Sequence, residues 1–177
     1  MKYLIMTDIH GSRNSAEILK QKFAETKADK ILLLGDLLYF GPRNTMLDDY
    51  DPKSVIEMLN SFADKIVAVR GNCDAEVDQM VLNFQLNESV MIELQGKSYF
   101  CTHGHHISHE APAKLAKGTV VLYGHFHKTK ITEIDGVTYF NIASITYPKG
   151  DSVKCYGILD ESGVSVFDLD DKLIMKN

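Results

Sequence analysis

With 177 residues, 45% of them hydrophobic, the chain is long enough for one globular domain burying roughly 70% of its unfolded surface, and 24% charged residues without repeats or low-complexity tracts exclude a largely disordered chain. A formal net charge of −5 with no lysine or arginine block excludes the footprint of a general nucleic-acid binder, so any attraction for an anionic substrate must be local. The opening run MKYLIMTDIHG meets Asp8 too early for a signal peptide or a membrane span, and Cys73, Cys101 and Cys155 form an odd set without CxxC spacing, which together point to a reducing, cytoplasmic setting with no membrane attachment.

In chain order, the first apolar run is 2–6 (KYLIM), expected to be a buried strand. SAEILKQKFAETKA from Ser15 follows, with Ile18, Leu19, Lys22 and Phe23 near helical spacing and Ser12 or Asn14 able to cap its start. A second buried strand is expected at 30–34 (KILLL). Asp51 and Pro52 then read as N-cap and first-turn proline of a helix through Val55, Ile56, Leu59 and Phe62. A third strand is expected at 65–69 (KIVAV) and a fourth at 119–123 (TVVLY). Strand, helix, strand, helix, strand calls for a parallel sheet with right-handed crossovers. The later half changes character: SVMIELQGKSYFCT, KITEIDGVTYFNIA and SVKCYGILDESGVSVFDL are pairs of apolar runs broken by QG, DG and SG, the punctuation of β-hairpins. A second, largely antiparallel set of strands is therefore expected, with sheets packed on each other and helices outside.

Polar residues follow each buried run: Asp8 and His10, then Gly35 and Asp36, then Gly71, Asn72, Cys73 and Asp74, then His103, Gly104 and His105, then His125 and His127. Taken singly, each reads equally well as a turn, a cap or an internally bonded histidine. Taken together they stand at strand C-termini, where open α/β sheets bind ligands. Carboxylates, imidazoles and one amide, with no thiolate required, suit hard or borderline divalent ions and argue against a structural thiolate zinc site. Seven such groups are too many for one ion; around two ions, one carboxylate could bridge at about 3.5–4 Å. The DxH and HxH spacings let residues two apart face the same ions.

DIHGS (8–12), GDLLYFGPRN (35–44), RGNCD (70–74), THGH (102–105), GHFH (124–127) and NIAS…PKG (141–150) resemble, in order and spacing, the calcineurin-like metallophosphoesterases, and more narrowly the small YfcE-type phosphodiesterases. The resemblance covers nearly the whole chain. It implies an α/β fold, a four-layer α/β/β/α sandwich of two mixed sheets flanked by helices. It also implies that Asp8, His10 and His127 hold one metal, that Asn72, His103 and His125 hold the second, and that Asp36 bridges. Mn²⁺ is the first expectation for the pair of divalent ions, with Fe, Zn and Ni as alternatives. A water or hydroxide between the ions would attack the phosphorus of a small phosphoester.

The candidate catalytic set is Asp36, Asn72, His103, His105, Asp74 and Arg43. Many relatives carry histidine after the GN asparagine as a proton donor to the leaving group. Here that position is Cys73, as in the YfcE-type subgroup, so the proton is assigned either to His105 or to a metal-bound water, or the enzyme favours acidic leaving groups. Arg43 is a candidate phosphate contact through its guanidinium, alongside its reading as a solvated loop residue; Arg13 has a weaker case. His106 and His109 have no match, Tyr39 and Phe40 are candidates for the pocket wall, and Phe126 replaces a commoner small polar residue. Two other functions remain in play: a metal-free or weakly metallated scaffold like the retromer subunit Vps29, disfavoured by seven intact ligand positions, and a nuclease of the same superfamily, disfavoured by the acidic charge. Self-association is left open.

Overall fold

The computed structural model describes residues 1–177. Alternate residues of the apolar runs face two different cores, which is why those runs carry no polar position beyond their first residue. In β1 (Tyr3–Met6), Leu4 and Met6 pack against helices while Ile5 points between two sheets; in β2 (Lys30–Leu33), Ile31 and Leu33 take the helix side and Leu32 the other. The helix side is closed by α1 (Arg13–Thr26) and α2 (Pro52–Asn60). Ser12 caps α1, its Oγ accepting from the Ser15 N–H at 3.1 Å, and Asp51 caps α2, accepting from the Ser54 N–H at 3.2 Å. Each cap is worth about 1 kcal/mol. Burying Leu19 of α1 or Leu59 of α2 contributes roughly 1.5–3 kcal/mol, so packing outweighs capping in holding these helices. α2 ends at Asn60, short of the expected Phe62, which packs edge-to-face on Phe23 of α1 at 5.5 Å from just beyond the helix.

The chain continues through a 3₁₀ turn (Ala63–Lys65), β3 (Ile66–Val69), α3 (Glu76–Val81) and β4 (Leu86–Asn87), and β1 to β4 are parallel neighbours, as the strand–helix alternation requires. The hairpins form where expected: β5 (Val90–Leu94) with β6 (Lys97–Cys101), β8 (Lys130–Ile134) with β9 (Val137–Asn141), and β10 (Cys155–Asp160) with β11 (Gly163–Asp168). Gln95–Gly96 and Asp135–Gly136 are left-handed pairs, with φ of 52° and 73° and of 53° and 80°, the turn that matches strand twist.

The expectation of a separate antiparallel set does not hold. β10 pairs antiparallel with β1, Leu4 opposite Ile158, so the last hairpin and β12 (Leu173–Lys176) complete the first sheet in the order β12-β11-β10-β1-β2-β3-β4. In the second sheet, ordered β5-β6-β7-β9-β8, β7 (Val120–Tyr123) lies parallel to both β6 and β9. Parallel pairing needs a crossover of a dozen or more residues, and the segment 102–119 supplies it between β6 and β7.

The two mixed sheets of the expected α/β class pack on each other through Leu32, Val69, Leu122 and Phe140. Their outer faces are covered differently. Helices cover the first sheet, whereas Val121, Tyr123, Val137 and Tyr139 of the second lie under Ile107 and Leu115 of the helix-free segment 102–119. The fourth layer is thus a loop. The same loop begins with the THGH motif, so one segment both seals a sheet and delivers a histidine to the site. No helix is long and apolar enough to cross a membrane.

Candidate metal centre

Five of the seven ligand candidates have left-handed backbone: Asp8 (φ 57°), His10 (52°), Asp36 (56°), His125 (65°) and His127 (58°). Such residues cost about 1–2 kcal/mol each and persist only where their surroundings over-determine them. Here the exits of β1 and β2 are laced together. The Asp8 N–H donates to Gly35 O at 3.0 Å, His10 N–H to Asp36 O at 2.9 Å and Gly11 N–H to Leu37 O at 2.9 Å. Beneath them Asp74 accepts three more backbone protons, from Asp36 (2.8 Å) and Gly71 (2.7 Å) at Oδ2 and from Leu37 (2.7 Å) at Oδ1. Two motif glycines are needed for close approach: a Cβ at Gly71 would overlap the Asp36 carboxylate, and one at Gly124 would overlap Thr7 and the Asp8 carboxylate.

Three imidazoles share one arrangement. Nδ1 of His10, His127 and His103 lies 2.7 Å from a backbone carbonyl, of Tyr39, Tyr147 and Leu34 respectively. Those carbonyls take the Nδ1 proton and leave Nε2 as the ligand atom. Nε2 of His10 and Nε2 of His127 face each other at 3.3 Å, and lie 3.6 and 3.2 Å from Asp8 Oδ1. Asp36 Oδ2 is 3.7 Å from His10 Nε2 and 3.4 Å from His103 Nε2, while its Oδ1 accepts the Cys73 N–H at 2.8 Å. Asn72 Oδ1 stands 3.1 Å from His103 Nε2. The His125 ring lies beside His103, centroids 5.1 Å apart, while the His125 backbone N–H donates to Asp8 Oδ2 at 3.2 Å.

The electrostatics follow from this crowding. Burial alone would raise the Asp8 carboxyl, but the adjacent imidazoles of His10 and His127 and the charge of His103 outweigh it and hold Asp8 well below the usual carboxylate range. Burial also opposes charge on His103, yet the carboxylates of Asp36 and Asp8 raise it to about 9. For His125, burial, reinforced by the charge of His103, pushes the imidazole down to about 4, so it is a neutral donor at pH 7. Burial and the adjacent Asp36 push the Cys73 thiol up to about 12.

These donors fit a metal. Asp8 Oδ1 is buried with no hydrogen-bond partner, and it faces two ring nitrogens whose other protons are already committed. Converging lone pairs in a dry pocket are costly unless a cation lies between them. Ligand atoms of Asp8, His10 and His127 lie within 4.8 Å of one another, as do those of Asp8, Asp36 and His103. Asp8 and Asp36 are 0% and 2% exposed, the environment in which carboxylates are retained for ion binding.

The remaining candidates fall in different places. Arg43 lines the cleft over this cluster, as does Lys149, a residue to which the sequence reading attached no role. Asp74 is buried and fully engaged with backbone, so it positions Asp36 and Gly71 and presents no free oxygen. His105 stands at the edge, 5.4 Å from the His103 ring and tilted against the His106 ring at 3.9 Å. His109 lies apart, bonded through Nδ1 to Tyr123 Oη at 2.8 Å, and Phe126 packs edge-on to both of those rings. Arg13, Tyr39 and Phe40 do not line the cleft; Tyr39 contributes its carbonyl. The carbonyls of Tyr39, Tyr147 and Leu34 were missed, because a backbone acceptor has no residue signature.

Residues 1–163 match the model of the calcineurin-like phosphoesterase superfamily domain. The chain is 40% identical over 178 aligned positions to the phosphodiesterase YfcE of Escherichia coli K12, an alignment covering 99% of this chain and 96% of YfcE. The solved structure of YfcE, described as a phosphoesterase from E. coli, superposes with a TM-score of 0.94 at 38% identity and covers 100% of this chain and 98% of that one. The fold alone is shared with Vps29 of Chaetomium thermophilum, at a TM-score of 0.66 and 16% identity over 98% of this chain and 94% of that one. The chain belongs to the calcineurin-like phosphoesterase superfamily.

Proposed function

We propose that the protein is a metal-dependent phosphodiesterase of small phosphoesters, with two divalent cations at the cluster described above. Asp8, His10 and His127 would hold one, Asn72, His103 and His125 the other, and Asp36 would stand between them. The observation that carries this reading is the buried, unpartnered Asp8 Oδ1 facing the Nε2 atoms of His10 and His127. When bound, such a pair supplies Lewis acidity toward phosphoryl oxygens and brings the pKa of water near neutrality. The identity to YfcE supports the phosphodiester class. Mn²⁺ is our assignment for the metal, with Fe, Zn and Ni meeting the same nitrogen and oxygen donor set. Three free cysteines support a reducing, cytoplasmic setting.

The chain's own residues set the remaining chemistry. The carbonyls of Tyr39, Leu34 and Tyr147 fix three tautomers before substrate arrives, so no reorganisation is needed during reaction. Arg43 offers its guanidinium to the cleft. Cys73, pushed up to about 12, is a poor proton donor at neutral pH, and with His105 at the edge of the cluster this favours substrates whose leaving group departs without one.

The direct test is hydrolysis of bis(4-nitrophenyl) phosphate by the purified protein with Mn²⁺, before and after exhaustive chelation. Turnover that chelation abolishes and Mn²⁺ restores is the expected result. Turnover at background in both conditions would favour the scaffold reading instead.

A further inference from the structure

Asp36 is the only carboxylate lining the active-site cleft, and it is 2% exposed, whereas two exposed cations line the same cleft: Arg43 on the loop after β2 and Lys149 on the loop after β9. Neither side chain makes an ion pair or a hydrogen bond within the protein. Their loops are tied to each other and to the cluster. Tyr147 Oη donates to Thr45 O at 2.8 Å, and the Lys149 N–H donates to His127 O at 2.9 Å. Asn44 Nδ2 donates to Phe40 O at 2.7 Å and shapes the Arg43 side of the cleft.

On the reading proposed above, two divalent cations less the charges of Asp8 and Asp36 leave +2. A phosphodiester monoanion and an anionic nucleophile match that charge. Arg43 and Lys149 are then in excess, in a chain whose net charge is −5.

We propose that Arg43 and Lys149 form a subsite for a second anionic group of the substrate, a carboxylate or a further phosphate carried on the organic arm of the ester. The inference rests on the phosphoesterase reading for the position of the scissile phosphate. It adds a substrate class: small phosphoesters bearing at least one more negative charge. A guanidinium and an ammonium lining one cleft suit an oxyanion held by both, since the first offers a fork and the second a point charge.

The test is binding to the Mn²⁺-loaded protein, measured by calorimetry with two non-hydrolysable probes of equal chain length, propylphosphonate and 3-phosphonopropionate, which differ by a terminal carboxylate. The expected result is about tenfold tighter binding of the carboxylate probe at low salt, falling as ionic strength rises. In Arg43→Gln and in Lys149→Gln that ratio should shrink toward one. Equal binding of the two probes by the wild type, or an unchanged ratio in both variants, overturns the subsite. Should Arg43→Gln weaken both probes equally, Arg43 serves the phosphonate itself and the proposal is again overturned. Failure of both probes to bind would instead count against the metal-dependent phosphoesterase reading, which separates the two outcomes.

Discussion

Asp74 lies directly under Asp36, its Oδ2 accepting the Asp36 backbone N–H at 2.8 Å, although both residues are carboxylates. Desolvation raises Asp74, with the nearby Asp36 charge adding to it, while the three backbone N–H groups oppose the rise. Removing the acceptor in Asp74→Ala would strand three buried donors, each worth about 1–3 kcal/mol when unsatisfied. At about 2–4 °C per kcal/mol, a loss of roughly 10 °C in melting temperature is expected, together with loss of bound metal. Asp74→Asn retains one acceptor oxygen and should fall between the two. A melting temperature for Asp74→Ala within 2–3 °C of wild type would show that those bonds carry little weight.

The pH response of the chelated protein follows from His103. Its folded pKa of about 9 lies above the ordinary value of 6.5, so its stabilising contribution is fully present below about 6.5 and is lost as pH rises through 9. Asp8 and Asp36 act on the other side, since both are held below 3.8 and their contributions disappear as pH falls through that range. The metal-free protein should therefore be most stable at mildly acidic to neutral pH and should melt several degrees lower at pH 9. Scanning calorimetry at fixed ionic strength reads this directly, and a melting temperature that rises between pH 6.5 and 9 contradicts it.

Cys73 bears on leaving-group preference. A thiol pushed up to about 12 does not donate a proton at pH 7, so the rate across a series of aryl diesters should fall steeply as the leaving phenol becomes less acidic. Cys73→Ser should leave that dependence unchanged and keep activity within about threefold. A flat dependence in the wild type would mean that another group protonates the leaving oxygen, with His105 the nearest candidate.

Much of this site is legible in the chain because each candidate ligand follows a recognisable strand. β1, β2 and β7 are short apolar runs ending in Asp8, Asp36 and His125, and the alternation of Leu4, Ile5 and Met6 between two cores is the physical reason those runs are uninterrupted. Hairpins are legible for a local reason, as a QG or DG pair tolerates left-handed backbone. What they pair with next is not local. Nothing in CYGILD says that it will lie beside Leu4, more than 150 residues earlier, and that pairing sends the last hairpin to the first sheet. The loop over the second sheet was equally hidden, since Ile107 and Leu115 carry no periodicity. Lys149 lies within the NIAS…PKG motif but acquires meaning only when the fold brings it into the same cleft as Arg43.

The central claim is that Asp36 stands between two cations and serves both. Metal content per chain, determined by mass spectrometry on protein saturated with Mn²⁺ and then desalted, tests it most directly when wild type and Asp36→Asn are compared alongside turnover. The account predicts about two ions per chain in the wild type, fewer in Asp36→Asn, and a fall in kcat of at least about 100-fold, with the chelated variant still folded and melting only several degrees lower because His103 loses its carboxylate partner. Two ions retained by Asp36→Asn with wild-type turnover, or no metal in an active wild type, would contradict it.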